Sequence, residues 1–266
     1  MLFHSSIEPL YYLLPLIGFV VGLFGTMLGG GGGFFFLPVL VLLLNTDPKT
    51  AVITSLVASL PICIVGSWGH YRKNNINIKI AAVFAAAGIV GAFLGAVLTS
   101  RISSEQLRIS FGIYSVLIAL NIILTTRNKQ QKREITGDNA KNSKRELATK
   151  GSFFGFFAGM ITGTFGTSGT APVLAGLFSL KIPLKTVIGT SLLVVLINTV
   201  FAVGSHLLTG KTDLTLVWFL TAGSTIGALT GPRILAKTET GNSENKIKYG
   251  YAAVMILIGG LMIFNK

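Results

Sequence analysis

The sequence has one cysteine, few acidic residues and no charged side chain in the middle of any long apolar run. A single thiol rules out an internal disulfide, and Cys63 lies within an apolar run, where a thiol packs as a small hydrophobe. Charged residues make up 12% of the chain, about half the share in an ordinary soluble domain, roughly 25%. There is no G-x-x-x-x-G-K-[ST] loop, so nothing in the chain reads as a nucleotide-driven motor. There is no HExxH and no pair of carboxylates, so the chain is not expected to be an enzyme or to need a cofactor or metal ion. With no Asp or Glu at mid-span, a carboxylate proton relay is missing as well. The opening segment, MLFHSSIEPLYYLLPLIGF, has no Lys or Arg before its apolar run. A cleavable signal peptide wants a basic leader, so this segment is expected to stay in the mature protein.

What the chain has in quantity is apolar sequence: 51% hydrophobic residues and a mean hydropathy of +0.71. Apolar runs of spanning length recur from end to end, which predicts an all-α polytopic integral membrane protein. The net charge of +13 comes from Lys and Arg lying between those runs, not from a basic patch interleaved with aromatics. That pattern is the positive-inside bias of a membrane protein, and it argues for a lipid bilayer rather than nucleic acid as partner.

The chain also repeats itself. PKTAVITSLVASLPICIVGSWGH (48–70) aligns with LKTVIGTSLLVVLINTVFAVGSH (184–206), so that Lys49 meets Lys185, Thr54-Ser55 meets Thr190-Ser191, and His70 meets His206. Gly91 and Gly95 meet Gly227 and Gly231 in the same register, and GFVVGLFGTMLGGGGGFFFLPVL (18–40) aligns with GFFAGMITGTFGTSGTAPVL (155–174) once three residues are skipped. Two halves follow: a first transmembrane repeat over 1–125 and a second over 151–266. They are joined by a basic, solvated linker over 126–150, expected on the cytoplasmic side.

Each repeat begins with a segment too long for one span. Tyr11 to Leu44 would be about 51 Å as a straight helix, against a hydrocarbon core of about 30 Å. The five consecutive glycines Gly29–Gly33 cost about 4–5 kcal/mol of helix propensity relative to alanine. The chain is expected to break there and turn back within the membrane. Ser152 to Leu180 is interrupted in the same way by GTFGTSGTAP (163–172). Three full spans follow each hairpin, near 50–69, 79–99 and 107–125, then 185–208, 215–236 and 247–264.

Counting basic residues favours inverted repeats. Five helical passes per half with the linker inside leave only Lys49, Arg101, Arg108, Lys211 and Lys266 outside, a better fit to the positive-inside rule than four parallel spans per half. A 4+4 parallel arrangement with kinked first spans is the alternative.

Hairpin turns at mid-depth leave free N–H groups where the return helix starts, and a helix N-terminus carries roughly half a positive charge. Two such ends, near Phe34 and near Ala171-Pro172, suit an anion without Lys or Arg. Hydroxyls and an amide can supply further donors. The candidate substrate-binding residues are therefore Gly29, Gly30, Gly31, Gly32, Gly33, Thr54, Ser55, Thr167, Ser168, Gly169, Thr170, Thr190, Ser191 and Asn198. His70 and His206, at equivalent span ends, are candidates for gating or a proton-linked role. Small-residue pairs such as Gly18 and Gly22, Gly91 and Gly95, and Gly227 and Gly231 read as close helix packing.

The repeated GGGG-x-x-x-x-P element, the T-S-L motif followed by G-S-x-x-H, and G-x-x-x-G-A-x-x-G resemble the TauE/SafE family of sulfite exporters, also called TSUP. The likeness covers nearly the whole chain except the linker. The second half departs from the pattern, with GTSGTAP where the first has its glycine run. The resemblance implies a permease of the cytoplasmic (inner) membrane of bacteria or archaea. Its substrates would be small sulfur-containing or organic anions such as sulfite, sulfonates, thiosulfate or carboxylates. An anion channel, or a transporter of a cation or carboxylate, is the competing reading. The anion's identity, the direction of transport and assembly as a homo-oligomer stay open.

Overall fold

A computed structural model of the chain describes residues 2–129, 144–208, 211–237 and 243–264. The described residues of the first half form α1 (Leu14–Leu28), α2 (Gly33–Pro38), α3 (Pro48–Tyr71), α4 (Ile78–Arg101) and α5 (Ser104–Lys129). Those of the second half form α6 (Lys144–Phe165), α7 (Thr170–Ser179), α8 (Leu184–Leu207), α9 (Leu214–Lys237) and α10 (Ser243–Phe264). A two-residue strand, β1 (Leu2–Phe3), pairs in parallel with β2 (Thr212–Asp213) and ties the N-terminal segment to the start of α9. The protein is thus an all-α polytopic membrane protein, with six described segments long and apolar enough to span a bilayer: Pro9–Met27, which contains most of α1, and stretches of α3, α4, α5, α8 and α9; the apolar part of α10, Tyr249–Phe264, is shorter. Helix extends into the expected linker from both sides, as α5 to Lys129 and as α6 from Lys144; residues 130–143 lie outside the described residues.

Local chemistry sets the helix boundaries. Asp47 accepts hydrogen bonds from the Lys49 and Thr50 amides, and Pro48 opens α3 in the first turn, where its missing N–H costs nothing. Asn77 accepts from Ile80 N at the start of α4. In the second half Asp213 does the same for Thr215 N and Leu216 N at the start of α9. Pro38 removes one helical donor from α2, and the chain continues as a wider π-helical turn over Val39–Leu43. Both hairpins close on a residue in the left-handed region, Asn45 in the first half and Lys181 in the second.

The halves are interwoven. α1 packs on α9 of the other half, and α6 packs on α4. Glycines allow both contacts. Gly18 and Gly22 lie against Leu220 and Ser224, while Gly155, Gly159 and Gly163 meet Phe84, Gly88 and Ala92. In each pair the residue numbers rise together, so the helices run parallel. α3 against α8 is antiparallel: Gly66 meets Leu192 and His70 meets Gly189. α5 against α10 is antiparallel too, with Gly112 on Ile263 and Val116 on Gly259. The close backbone approach is the packing expected of small residues in membranes.

α3 and α8 form the buried centre, whereas α5 lies at the periphery. Large apolar side chains face outward, including Trp68, Phe93, Leu117, Phe157, Trp218 and Leu257. Hydroxyls, the Asn198 amide and both span-end imidazoles point inward and are buried. That inversion of the soluble pattern is what a hydrocarbon solvent dictates.

Candidate functional site

Both expected breaks are present. α1 ends at Leu28, Gly29 is left-handed (φ 76°), Gly31 and Gly32 are left-handed as well (φ 60° and 74°), and α2 begins at Gly33. In the second half α6 ends at Phe165, Gly166 (φ 64°) and Gly169 (φ 52°) are left-handed, and α7 begins at Thr170. Both return helices run back to the end from which their hairpin entered. Lys150 near the start of α6 donates to the Ser179 carbonyl at the end of α7. The Asp213 amide, beside the N-terminal strand, donates to Thr54 early in α3.

The two breaks lie side by side and antiparallel. Thr170 Oγ1 donates to the Gly30 carbonyl at 3.1 Å. A side chain added at Gly31 would meet Cys63, Val195 and Ser168, and one at Gly33 would meet Gly166 and Ser168. The glycine run therefore has a packing reason: only bare backbone lets the first break pass this close to the second. Gly29, Gly31, Gly32, Gly33, Thr167, Ser168 and Gly169 are buried here, and Gly30 and Thr170 are partly buried.

A broken helix leaves orphan carbonyls at its end. Side chains satisfy several of them, the serines and Thr99 from the opposite half and His206 from the same half. Ser191 Oγ donates to the Gly29 carbonyl at 2.8 Å, and its repeat counterpart Ser55 Oγ donates to the Gly166 carbonyl at 2.9 Å. Thr99 Oγ1 lies 2.9 Å from the Thr164 carbonyl, and His206 Nε2 lies 2.6 Å from the Gly163 carbonyl. The threonine of each T-S pair acts elsewhere. Thr190 accepts from Asn77 N, and Thr54 accepts from Asp213 N, each pinning the start of a helix in the other half. Thus Ser55 and Ser191 border the breaks, while Thr54 and Thr190 are engaged at inter-helix loops. Ser59 bonds back to Leu56 in its own helix.

Three fully buried side chains near these segments have polar atoms without a partner: Thr167 Oγ1, both amide atoms of Asn198, and Thr199 Oγ1. His70 is also buried and faces the Thr26 backbone in the equivalent place, in a looser contact than the His206 bond. Thr199 was not among the sequence candidates. Its signal was present, since it lies two helical turns beyond Ser191 and so shares its face of α8. Among the described residues no cluster of His, Cys, Asp or Glu could hold a metal ion.

Comparison with known proteins agrees with this architecture. Residues 14–262 match the family described as Sulfite exporter TauE/SafE. Relatives include the "Probable membrane transporter protein YdhB" of Bacillus subtilis, 28% identical over 83% of this chain and 89% of that protein. The "Probable membrane transporter protein YunE" of the same organism is 24% identical over 96% and 98% of the two chains. A "Probable membrane transporter protein" of Xylella fastidiosa is 26% identical over 94% and 92%. No solved structure matches the chain. With its two broken-helix hairpins and a family match over most of its length, the chain belongs to the TauE/SafE sulfite exporter family of membrane transporters.

Proposed function

We propose that the protein is a secondary transporter of small sulfur-containing or organic anions, working by alternating access across the cytoplasmic membrane. The observation that carries this is the occupancy of the turn carbonyls. Gly29, Gly30 and Gly163 already accept hydrogen bonds from side chains, and Gly166 and Thr164 share a hydroxyl with a carbonyl of the donor's own helix. Capping offsets the negative ends of α1 and α6 and leaves first-turn N–H groups as the outstanding polarity of the breaks. That polarity suits an anion. It counts against the cation reading, which needs those carbonyls free.

The antiparallel pairing of α3 with α8 and of α5 with α10 supports inverted repeats, because a two-fold axis relating equivalent antiparallel helices lies across them, in the membrane plane. The 4+4 parallel arrangement would make the same pairs parallel. Inverted halves that exchange conformations would open the central breaks first to one side and then to the other. His206, bonded to Gly163, and His70, more loosely held beside Thr26, the counterpart of Gly163, would exchange states in that cycle. The linker and Lys181 would face the cytoplasm.

The test is radiolabelled flux into liposomes, together with thermal stabilisation of purified protein by sulfite, thiosulfate, sulfate, sulfonates and carboxylates at matched ionic strength, with chloride as control. Saturable uptake of an anion that also stabilises the protein is expected. Stabilisation by a cation alone would overturn the reading. Lys181→Cys in a Cys63→Ser background is expected to react only from the cytoplasmic side, and labelling from outside would overturn the inverted topology.

A further inference from the structure

The two breaks have different surroundings at the N-termini of their return helices. At the first, Gly32 is the N-cap of α2, and a side chain there would meet Val21 and Ile62. At the second, Gly169 is the N-cap of α7, and a side chain there would meet Ala158 and the Thr162 hydroxyl. Val21 and Ala158 are repeat counterparts, which makes Gly32 and Gly169 counterparts too. In the same register the counterpart of Ile62 is Asn198, and that of Cys63 is Thr199. By repeat register, an amide and a hydroxyl therefore stand in the second half where the first has Ile62 against its N-cap glycine and Cys63 against Gly31.

All four of those polar atoms are unpartnered and fully buried: Thr167 Oγ1 in the turn leading into α7, Asn198 Oδ1 and Nδ2, and Thr199 Oγ1. A buried polar group without a partner is costly, the more so in a membrane interior. Asn198 lies against the bare backbone of Gly88, and that glycine lies against Gly159 on α6. α2 has six helical residues before its π turn, whereas α7 has ten in regular helix. With its π turn the first return helix runs on to Leu43, so the two helices present comparable positive ends and their surroundings make the difference.

We infer that the anion binds at one end of the pair, the N-terminus of α7, with Thr167 and Asn198 as the specificity-determining side chains and the glycine break as a packed backing wall. This rests on the anion-transport reading above. It also narrows the ligand. Backbone N–H groups only donate, so they take the oxyanion. A carboxamide presents a donor arm and an acceptor arm, and the acceptor Oδ1 repels an anion's oxygen. A ligand that satisfies both arms is a small oxyanion that also carries an O–H or N–H group.

The experiment uses the full chain in detergent and reads stabilisation across matched pairs of probes: 2-hydroxyethanesulfonate against ethanesulfonate, glycolate against acetate, and sulfite at a pH where it is protonated against sulfate. The wild type is expected to respond to the donor-bearing member of a pair. Asn198→Ile, which copies the first half, is expected to weaken that response about tenfold or more, the scale of leaving a ligand group unpaired. Its ligand-free melting temperature should hold or rise, because an unpartnered amide is removed. Thr167→Val provides a second variant should Asn198→Ile fail to fold, and Ile62→Asn should leave the response within about twofold. Anion binding by the wild type that survives both Asn198→Ile and Thr167→Val would overturn this inference while the transporter reading stands. Equal binding of both members of every pair would overturn the ligand class. If no anion stabilises the wild type and none is transported, the functional reading itself fails.

Discussion

The first break is bare backbone from Gly29 to Gly33, whereas the second carries hydroxyls at Thr167, Ser168 and Thr170. Both end one helix, start another and are capped by a serine of the opposite half. Their side-chain content differs because one segment must pass between neighbours and the other supplies polar groups. Thr170 reaches across to Gly30, while nothing but main chain reaches back. An internal duplication thus yields one symmetric scaffold and one asymmetric lining. Repeated motifs mark the scaffold, and departures from the repeat mark the chemistry.

The largest expected effect comes from adding bulk to the bare break. Gly31 combines a positive φ with immediate contact to Cys63 and Val195. Leucine there adds backbone strain to overpacking, together about 3 kcal/mol or more. Gly31→Leu is therefore expected to lose folded protein in size-exclusion chromatography and melting experiments, beyond any loss of transport. Cys63→Ala should not rescue it fully, because the positive φ remains. A Gly31→Leu protein with an unchanged melting temperature would show that the wall is looser than its contacts imply, and would reopen the first break as a ligand site.

Much of the fold was legible from physical limits on length. A segment such as Tyr11 to Leu44, too long for the bilayer and interrupted by five glycines, had to turn back, and the breaks fall at Gly29 and Gly166. Five of the expected full spans, α3, α4, α5, α8 and α9, begin and end within a few residues of their apolar runs, whereas the apolar part of α10 is shorter and Pro9–Met27 is itself of spanning length. The swap of α1 onto α9 and of α6 onto α4 was not legible, since GxxxG spacing says that a helix packs closely but not on which partner. Nor was the division of labour in the T-S motif. Sequence places Ser55 and Ser191 near the breaks, but a hydroxyl can bind a ligand or cap a carbonyl, and only the position of Gly29 and Gly166 relative to those hydroxyls decides. The β1–β2 ladder is too short to carry a pattern.

An intermediate effect tests the symmetric part of the comparison. Ser55→Ala and Ser191→Ala each remove the donor to a buried helix-end carbonyl. Each is expected to cost about 1–3 kcal/mol, the cost of leaving such a group unsatisfied. A chain of this size loses roughly 2–4 °C of melting temperature per kcal/mol. The Ser191 drop should be the larger, because the Ser55 hydroxyl divides its one hydrogen between the Gly166 carbonyl and Val52 of its own helix. A Ser55 drop larger than the Ser191 drop would mean that the Gly166 carbonyl takes that hydrogen alone.

The smallest effect is one in which the two halves should differ in size. His206 donates to the Gly163 carbonyl at 2.6 Å, one turn before the second break. His70 occupies the equivalent place beside the Thr26 backbone, in a looser contact that falls short of good hydrogen-bond geometry. His206→Leu removes a made bond and should destabilise by about 1 kcal/mol, the net worth of a typical buried hydrogen bond. His70→Leu removes only the looser contact at nearly constant volume, so its melting temperature should fall less or hold. The comparison sharpens when a saturating anion holds the protein in the opposite-facing state. If the halves exchange conformations, the bond moves from His206 to His70, and the two substitutions should trade their effects. Identical behaviour of both variants with and without ligand would mean that the imidazole contact is fixed architecture, and the gate would have to be sought in the breaks themselves.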